Sequence, residues 1–211
     1  DGVSEVLQSR FLTQGPLIDT FENLLAELTQ SKYAACVSSA TAALHLTYLA
    51  AGMTKESLVW TVANTFVATA SAAVHCGATV DFVDIELKNY TICPVQFENK
   101  VIEAPRPPDF LIVVHFAGRA VDLTMIAPIC KQYGIKIIED ASHAIGGRYL
   151  NEPVGNCNYS DIAVFSFHPV KIVTSGEGGA ALTNSSELDQ KLKLLRSHGI
   201  TRDPDMMQFP K

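Results

Sequence analysis

FLIVVHFAGRAVDLTMIAPICKQYGIKIIED, Phe110–Asp140, carries the decision on fold. Phe110 to His115 is an apolar run that reads as a buried strand. Leu123 to Tyr133 has helical spacing and ends just before Gly134, and Ile135 to Glu139 is a second apolar run, closed by Asp140. A strand, a helix and a strand in succession is the unit of a layered α/β domain with a largely parallel sheet.

The same alternation extends in both directions. Upstream, Asp19 reads as the cap of a helix through Phe21, Leu24, Leu25 and Leu28, and Ala34 to Val37 as a short strand. Ser38-Ser39 caps a helix through Ala42, Leu44, Leu46 and Leu49. Leu58 to Val62 and Thr79 to Val83 are strands, with a helix from Phe66 to Val74 between them. Leu87 to Pro108 is more polar and proline-rich, which predicts loops around one short helix. Downstream, Ile162 to Phe167 and Gly179 to Thr183 are strands, and Ser185 or Ser186 caps a last helix, Leu188 to Arg196. In sheets of this kind ligands bind beyond the carboxyl ends of the strands, so functional residues are expected there.

Composition narrows the class. With 16 Lys and Arg against 22 Asp and Glu the net charge is −6, which argues against nucleic-acid binding. Hydrophobic residues make up 47% and charged ones 18%, the balance of a globular protein with much buried strand. The first ten residues lack a basic start followed by an apolar run, so no signal peptide is read. Tyr33–Thr54 and Ser57–Val80 hold no Lys, Arg, Asp or Glu and are long enough for a membrane span. Each also carries several hydroxyl, amide or histidine side chains, so each is expected to split into a strand and a helix of a soluble core rather than cross a bilayer. The five cysteines are scattered with no CxxC, as in a reducing cytoplasm, and the six histidines show no metal-ligand spacing, so no metal is expected. A chain that opens on Asp1 and closes on Pro210-Lys211 is expected to be a piece of a longer polypeptide.

Chemistry concentrates at the strand exits. Lys171 lies in SFHPVKIVTSGEGGA, Ser166–Ala180, between a strand end and a glycine-rich turn, and Asp140 closes another strand. A lysine amine that can bond an aldehyde, and a carboxylate that can keep a pyridine nitrogen protonated, are the two groups that pyridoxal phosphate chemistry requires. Ser38-Ser39-Ala40-Thr41 opens a helix, where free N–H groups and the helix dipole favour an anion. Ser166 can donate to a phosphate, Phe66 can stack on a planar ring, and His143 can reach a phenolic oxygen on that ring. Taken singly, these segments have plainer readings: a helix cap, a core aromatic, an exposed turn, a solvated lysine. Their co-occurrence favours the cofactor. A nicotinamide site is weaker, because no GxGxxG follows a strand and Gly146-Gly147 lacks the spacing. A serine hydrolase is weaker still, because GxSxG is absent.

At this point the chain resembles the DegT–StrS family of pyridoxal-phosphate-dependent sugar aminotransferases. The resemblance rests on FLTQGP (Phe11–Pro16), SSATAALH (Ser38–His45), NTFVATASA (Asn64–Ala72), VHFAG (Val114–Gly118), IIEDASHAIGG (Ile137–Gly147), SFHPVKIVTSGEGGA and RSHGITR (Arg196–Arg202). SFHPVK and VHFAG look most like the branch that aminates UDP-linked 4-keto-6-deoxy-HexNAc, the pseudaminic acid route. The resemblance implies a three-layer α/β/α large domain of fold type I with a mostly parallel mixed sheet, spanning residues 1–211. It implies Lys171 as the Schiff-base lysine, Asp140 as partner of the pyridine nitrogen, His143 near the phenolic oxygen, Ser166 and the Ala40-Thr41 backbone on phosphate, and Phe66 over the ring. Thr13, Gln14, Gly15 and Pro16 would line the sugar-nucleotide side. A nucleotide-linked keto sugar and an amino-acid donor, glutamate, would be the substrates of a cytoplasmic homodimer. There are three departures: Ala40 stands where glycine is common, Val62-Ala63-Asn64 replaces a segment that often carries proline, and family members are nearly twice as long, with a small C-terminal domain absent here. Two competing readings accompany it. One is a sugar dehydratase of the same fold, against which Lys171 argues because histidine replaces that lysine there. The other is a truncated domain that serves only as a scaffold.

Overall fold

A computed structural model describes residues 2–201. Arg202, the last residue of RSHGITR, and the Pro210-Lys211 terminus lie outside the described residues. In chain order the elements are α1 (Gly2–Leu7), α2 (Pro16–Thr29), β1 (Tyr33–Val37), α3 (Ala40–Ala50), β2 (Leu58–Val62), α4 (Ala68–His75), β3 (Thr79–Val83), α5 (Pro94–Glu103), β4 (Phe110–Val114), α6 (Leu123–Tyr133) and β5 (Lys136–Asp140). A two-residue hairpin, β6 (Arg148–Tyr149) with β7 (Glu152–Pro153), precedes β8 (Ile162–Ser166), β9 (Gly179–Thr183) and α7 (Ser186–Arg196).

Seven strands form one sheet in the order β1-β9-β8-β5-β4-β2-β3. β2, β3, β4, β5 and β8 are parallel, and β9 runs antiparallel to both β8 and β1. This is the mixed, mostly parallel α/β sheet expected. Its central strands are covered on both faces, so β4 (FLIVV) and β8 (IAVFS) are buried at every residue instead of alternating. One face packs α3 and α4 through Leu44, Tyr48, Ala72, Ile112, Ile138 and Val164. The other packs α5 and α6 through Trp60, Phe97, Leu111, Val113, Ile126 and Ile137. The two uncharged stretches split as expected: β1 and α3 lie within the first, and β2 and α4 within the second. Among the described residues no helix is long and apolar enough to cross a membrane.

Element ends show where local rules lost to others. α2 starts at Pro16 with Gly15 in the cap position, not at Asp19. Proline at the first helical position has its φ preset and lacks an N–H that would be unsatisfied there anyway, so the helix gains a turn and Asp19 becomes a first-turn acid. α4 starts at Ala68 rather than Phe66, leaving Phe66 in the loop ahead of it and 70% exposed. α3 and α7 are capped as read, by Ser39 accepting from the Ala42 N–H and by Ser185 accepting from the Leu188 N–H.

Both free edges of the sheet end in an ion pair. On β1, the Glu22 carboxylate accepts the outward Cys36 N–H at 2.7 Å, and Arg196 donates to the Cys36 carbonyl at 3.1 Å and to Glu22. On β3, Asp81 accepts the Phe82 N–H at 2.7 Å, and Lys100 donates to the Phe82 carbonyl at 2.6 Å and to Asp81 at 2.7 Å. Side chains thus take the place a further strand would occupy, and each edge is blunted by charge.

Candidate functional site

All the parallel strands finish on one side of the sheet, and a cavity of about 600 Å³ opens there. Its wall is drawn from separate strand exits: Ser39, Ala40 and Thr41 after β1, Thr65 and Phe66 after β2, His115 and Phe116 after β4, Asp140, Ser142 and His143 at β5, and Ser166, His168 and Lys171 at and after β8. Every cofactor residue expected from sequence lies in this wall. Thr13, Gln14, Gly15 and Pro16 do not; they sit at the start of α2, with Gly15 against Phe11.

The floor is set by backbone contact. Gly179 pairs with Val37 on one side and Ser166 on the other. A Cβ on Gly179 would lie 2.4 Å from the Ser39 carbonyl carbon and 2.5 Å from the Ala40 nitrogen, so only glycine lets the first turn of α3 lie across β9. That turn presents the unpaired N–H groups of a helix N-terminus to the cavity. Ala40, in place of the family's glycine, keeps φ negative, so its methyl group brings no backbone strain.

Asp140 is 5% exposed, and its two oxygens receive different donors. Oδ2 accepts the Thr69 hydroxyl at 2.6 Å and Oδ1 accepts the Ser142 N–H at 3.2 Å. Both donors are neutral, and no ion pair reaches Asp140 within 4.0 Å among the described residues. A buried carboxylate held this way lacks a counter-charge and suits a ligand that brings one.

Glu139, the preceding residue, points to the other face of the strand, as the pleat requires. It accepts the Ser160 hydroxyl and meets His115 Nε2 at 2.7 Å. His115 Nδ1 accepts the Val121 N–H at 3.1 Å, so the ring carries its proton on Nε2 and donates it to Glu139. The His115 backbone N–H also bonds the Asp140 carbonyl at 3.1 Å. Gly118, at φ +83°, lies so close to the His143 carbonyl that a Cβ there would approach to 2.8 Å. The loop after β4 therefore braces the loop after β5.

Lys171 sits on the rim. Its N–H bonds the His168 carbonyl at 2.9 Å, closing a tight turn through Pro169. Partial burial pushes the amine below the ordinary lysine value, and the Asp140 charge pulls it the other way. His143 is also lowered, first by burial and then by the Lys171 charge, against the pull of Asp140. A lowered amine is neutral, and hence nucleophilic, at a lower pH than a free lysine. Ser166 is buried at 4% exposure, and its Oγ accepts the His168 N–H at 3.4 Å. Phe66 overhangs the cavity from its loop.

Sequence reasoning missed Thr65, Thr69 and the His115–Glu139 pair. Only a signal within VHFAG and NTFVATASA was available for them, because their partners lie 71 and 24 residues away in the chain.

A lysine amine and an unpaired buried carboxylate in one cavity, at the carboxyl edge of a doubly covered α/β sheet and beside a helix N-terminus, define a class of ligand-binding α/β domain. The chain belongs to the DegT/DnrJ/EryC1/StrS aminotransferase family, whose model matches residues 1–210. It is 42% identical over 213 residues to a UDP-4-amino-4,6-dideoxy-N-acetyl-beta-L-altrosamine transaminase of Campylobacter jejuni, covering 99% of this chain and 56% of that protein. Among solved structures it is similar to Helicobacter pylori PseC, an aminotransferase of pseudaminic acid biosynthesis, with 36% identity, TM-score 0.86 and coverage of 96% and 54% of the two chains. It is also similar to Bacillus subtilis NtdA with bound cofactor PMP, with 32% identity, TM-score 0.83 and coverage of 91% and 42%. The chain thus spans about half the length of the relatives it matches.

Proposed function

We propose that residues 1–211 are the cofactor-binding large domain of a pyridoxal-phosphate-dependent aminotransferase that places an amino group on the keto carbon of a nucleotide-linked 4-keto-6-deoxy sugar. The observation that carries this reading is that Lys171 and a buried Asp140, which has no ion pair within 4.0 Å among the described residues, line one cavity. The donor set fits the cofactor group by group. Asp140 offers an anionic acceptor to a protonated ring nitrogen, Lys171 an amine to the aldehyde, and the α3 N-terminus with Ser166 a seat for phosphate. When bound, pyridoxal phosphate supplies a ring that takes up the electron pair released when a proton leaves the substrate carbon.

The chain's own residues do the rest. Lys171, lowered by burial, is the base that takes that proton and the acid that returns it. Asp140 stays an acceptor and so keeps the ring nitrogen protonated. Ala40 and Thr41 hold phosphate with backbone N–H groups, and Ser166 adds a hydroxyl. His143 serves the ring's phenolic oxygen and Phe66 covers the ring from the loop before α4. Thr13, Gln14, Gly15 and Pro16 stay assigned to the sugar-nucleotide side on the family resemblance alone. The amino donor is an amino acid, glutamate, and the working enzyme is a cytoplasmic homodimer completed by a smaller C-terminal domain. The names of the Campylobacter and Helicobacter relatives support the sugar class.

The test is Lys171→Ala in the full-length enzyme, assayed on a panel of nucleotide-linked keto sugars with labelled amino donor. Turnover is expected to fall by about 10³-fold or more, with cofactor still bound non-covalently. Full turnover in this variant would overturn the assignment, and label that never reaches the sugar in the parent full-length enzyme would point to a dehydratase instead.

A further inference from the structure

Thr69 is fully buried, makes no contact expected from the sequence, and yet gives the shortest hydrogen bond to Asp140, 2.6 Å from its hydroxyl to Oδ2. A second hydroxyl stands behind it, with Thr65 Oγ1 2.8 Å from Thr69 Oγ1. The Thr69 carbonyl takes the hydroxyl of Tyr48 at 2.8 Å, and Tyr48 is itself fully buried, so the first turn of α4 is pinned.

Proton counting fixes the direction of the chain. An ionised carboxylate only accepts, so the one Thr69 proton goes to Asp140. The Thr69 oxygen is then an acceptor, and the Thr65 proton goes to it. Thr65 lines the cavity, so its oxygen has only lone pairs left to offer a ligand. A neutral donor suits this position. It orients the carboxylate and stabilises its charge without cancelling it, whereas a lysine or arginine there would compete with an incoming cation.

We propose that Thr65 and Thr69 form a positioning relay that holds the Asp140 carboxylate rotated toward the ring nitrogen of the bound cofactor. The inference rests on the cofactor reading above. The relay acts through Asp140 and touches no reacting atom, so Thr69 is a positioning residue.

A comparison of two cofactors isolates it. Pyridoxal phosphate and its 1-deaza analogue, in which carbon replaces the ring nitrogen, are titrated by fluorescence into the full-length enzyme and its Thr69→Val and Thr69→Ser variants. Valine keeps the volume and branching of threonine and removes the hydroxyl; serine keeps the hydroxyl. Thr69→Val is expected to weaken pyridoxal phosphate about tenfold, the size of one charge-assisted hydrogen bond. The same variant should leave the deaza analogue within about twofold, and Thr69→Ser should restore pyridoxal phosphate binding, because one hydroxyl is again available to the carboxylate. Equal losses for both cofactors, or no loss for either, would overturn the relay while leaving the cofactor reading intact. A full-length parent enzyme that binds neither cofactor would instead remove the cofactor reading, and the relay with it.

Discussion

The floor and the rim of the cavity are built by opposite means. The floor, Asp140, Ser166 and Gly179, ends three adjoining strands and is buried, and its positions are set by ladder partners distant in sequence. The rim, residues 168–177, carries Lys171 and is exposed at every other position. It is tied to the sheet chiefly at Phe167: this residue, 2% exposed, accepts the Ser175 N–H at 3.1 Å and the Thr174 hydroxyl at 2.9 Å, its N–H reaches Gly178 at 2.9 Å, and the His168 N–H adds a longer bond to Ser166 Oγ at 3.4 Å. Under the proposed function, the static partner of the chemistry is therefore set in the buried part, and the group assigned to move a proton stands on a short turn. Local stability follows buried contact, so the turn is the part free to adjust.

The largest test of this contrast is Asp140→Asn. An amide cannot hold a protonated ring nitrogen, and breaking one member of a buried charge pair costs enough to lower kcat by about 10²–10³-fold. A near-normal rate in a steady-state assay would move that role to another residue. Next come two glycines chosen from the two regions. Gly179→Ala drives a methyl group into the Ser39–Ala40 backbone and is expected to lower stability by about 2–4 kcal/mol in denaturant unfolding. Gly176→Ala meets nothing within 4 Å and pays only for its φ of +85°. That costs about 1–2 kcal/mol. If the two variants melt alike, the floor is no stiffer than the rim.

The smallest effect is a shift in pH. Burial lowers the Lys171 amine, so its labelling by formaldehyde and borohydride should reach half its maximal rate below the pH of an exposed lysine. Asp140 pulls the amine upward, so Asp140→Asn should move that midpoint further down. A midpoint that stays in place in the variant would mean that the charge of Asp140 is not felt at the rim.

The edges of the sheet extend the contrast. Glu22 with Arg196 closes one edge and Asp81 with Lys100 the other, each pair satisfying both the N–H and the carbonyl of one strand residue. Glu22 is 4% exposed, whereas Asp81 is an exposed residue. Glu22→Gln is expected to cost more stability than Asp81→Asn, because solvent screens the exposed pair.

Much of this was legible in the chain. Leu58–Val62, Leu123–Tyr133 and Gly179–Thr183 fall where their apolar periodicity places them, since those patterns record burial directly, and Thr79–Val83 is a strand as read although only its Val83 is buried. Lys171, Asp140, His143 and the Ser39–Thr41 turn stood out because strand exits in an α/β sheet share one edge. The start of α2 was misplaced because Pro16 outweighed the capping ability of Asp19. The β6–β7 hairpin, two residues per strand, carries too short a pattern to read.

The sequence alone determined the α/β alternation, the residues at the strand exits and the family, because each is written in local pattern or contiguous motif. Only the tertiary structure decided that Thr69 rather than a cation holds Asp140, that His115 is the partner of Glu139, and that Gly179 is required by the backbone of Ser39. These depend on which distant segments the sheet order brings together, and a hydrogen bond or a steric contact across 140 positions of chain, as between Ser39 and Gly179, leaves no periodic trace in either segment.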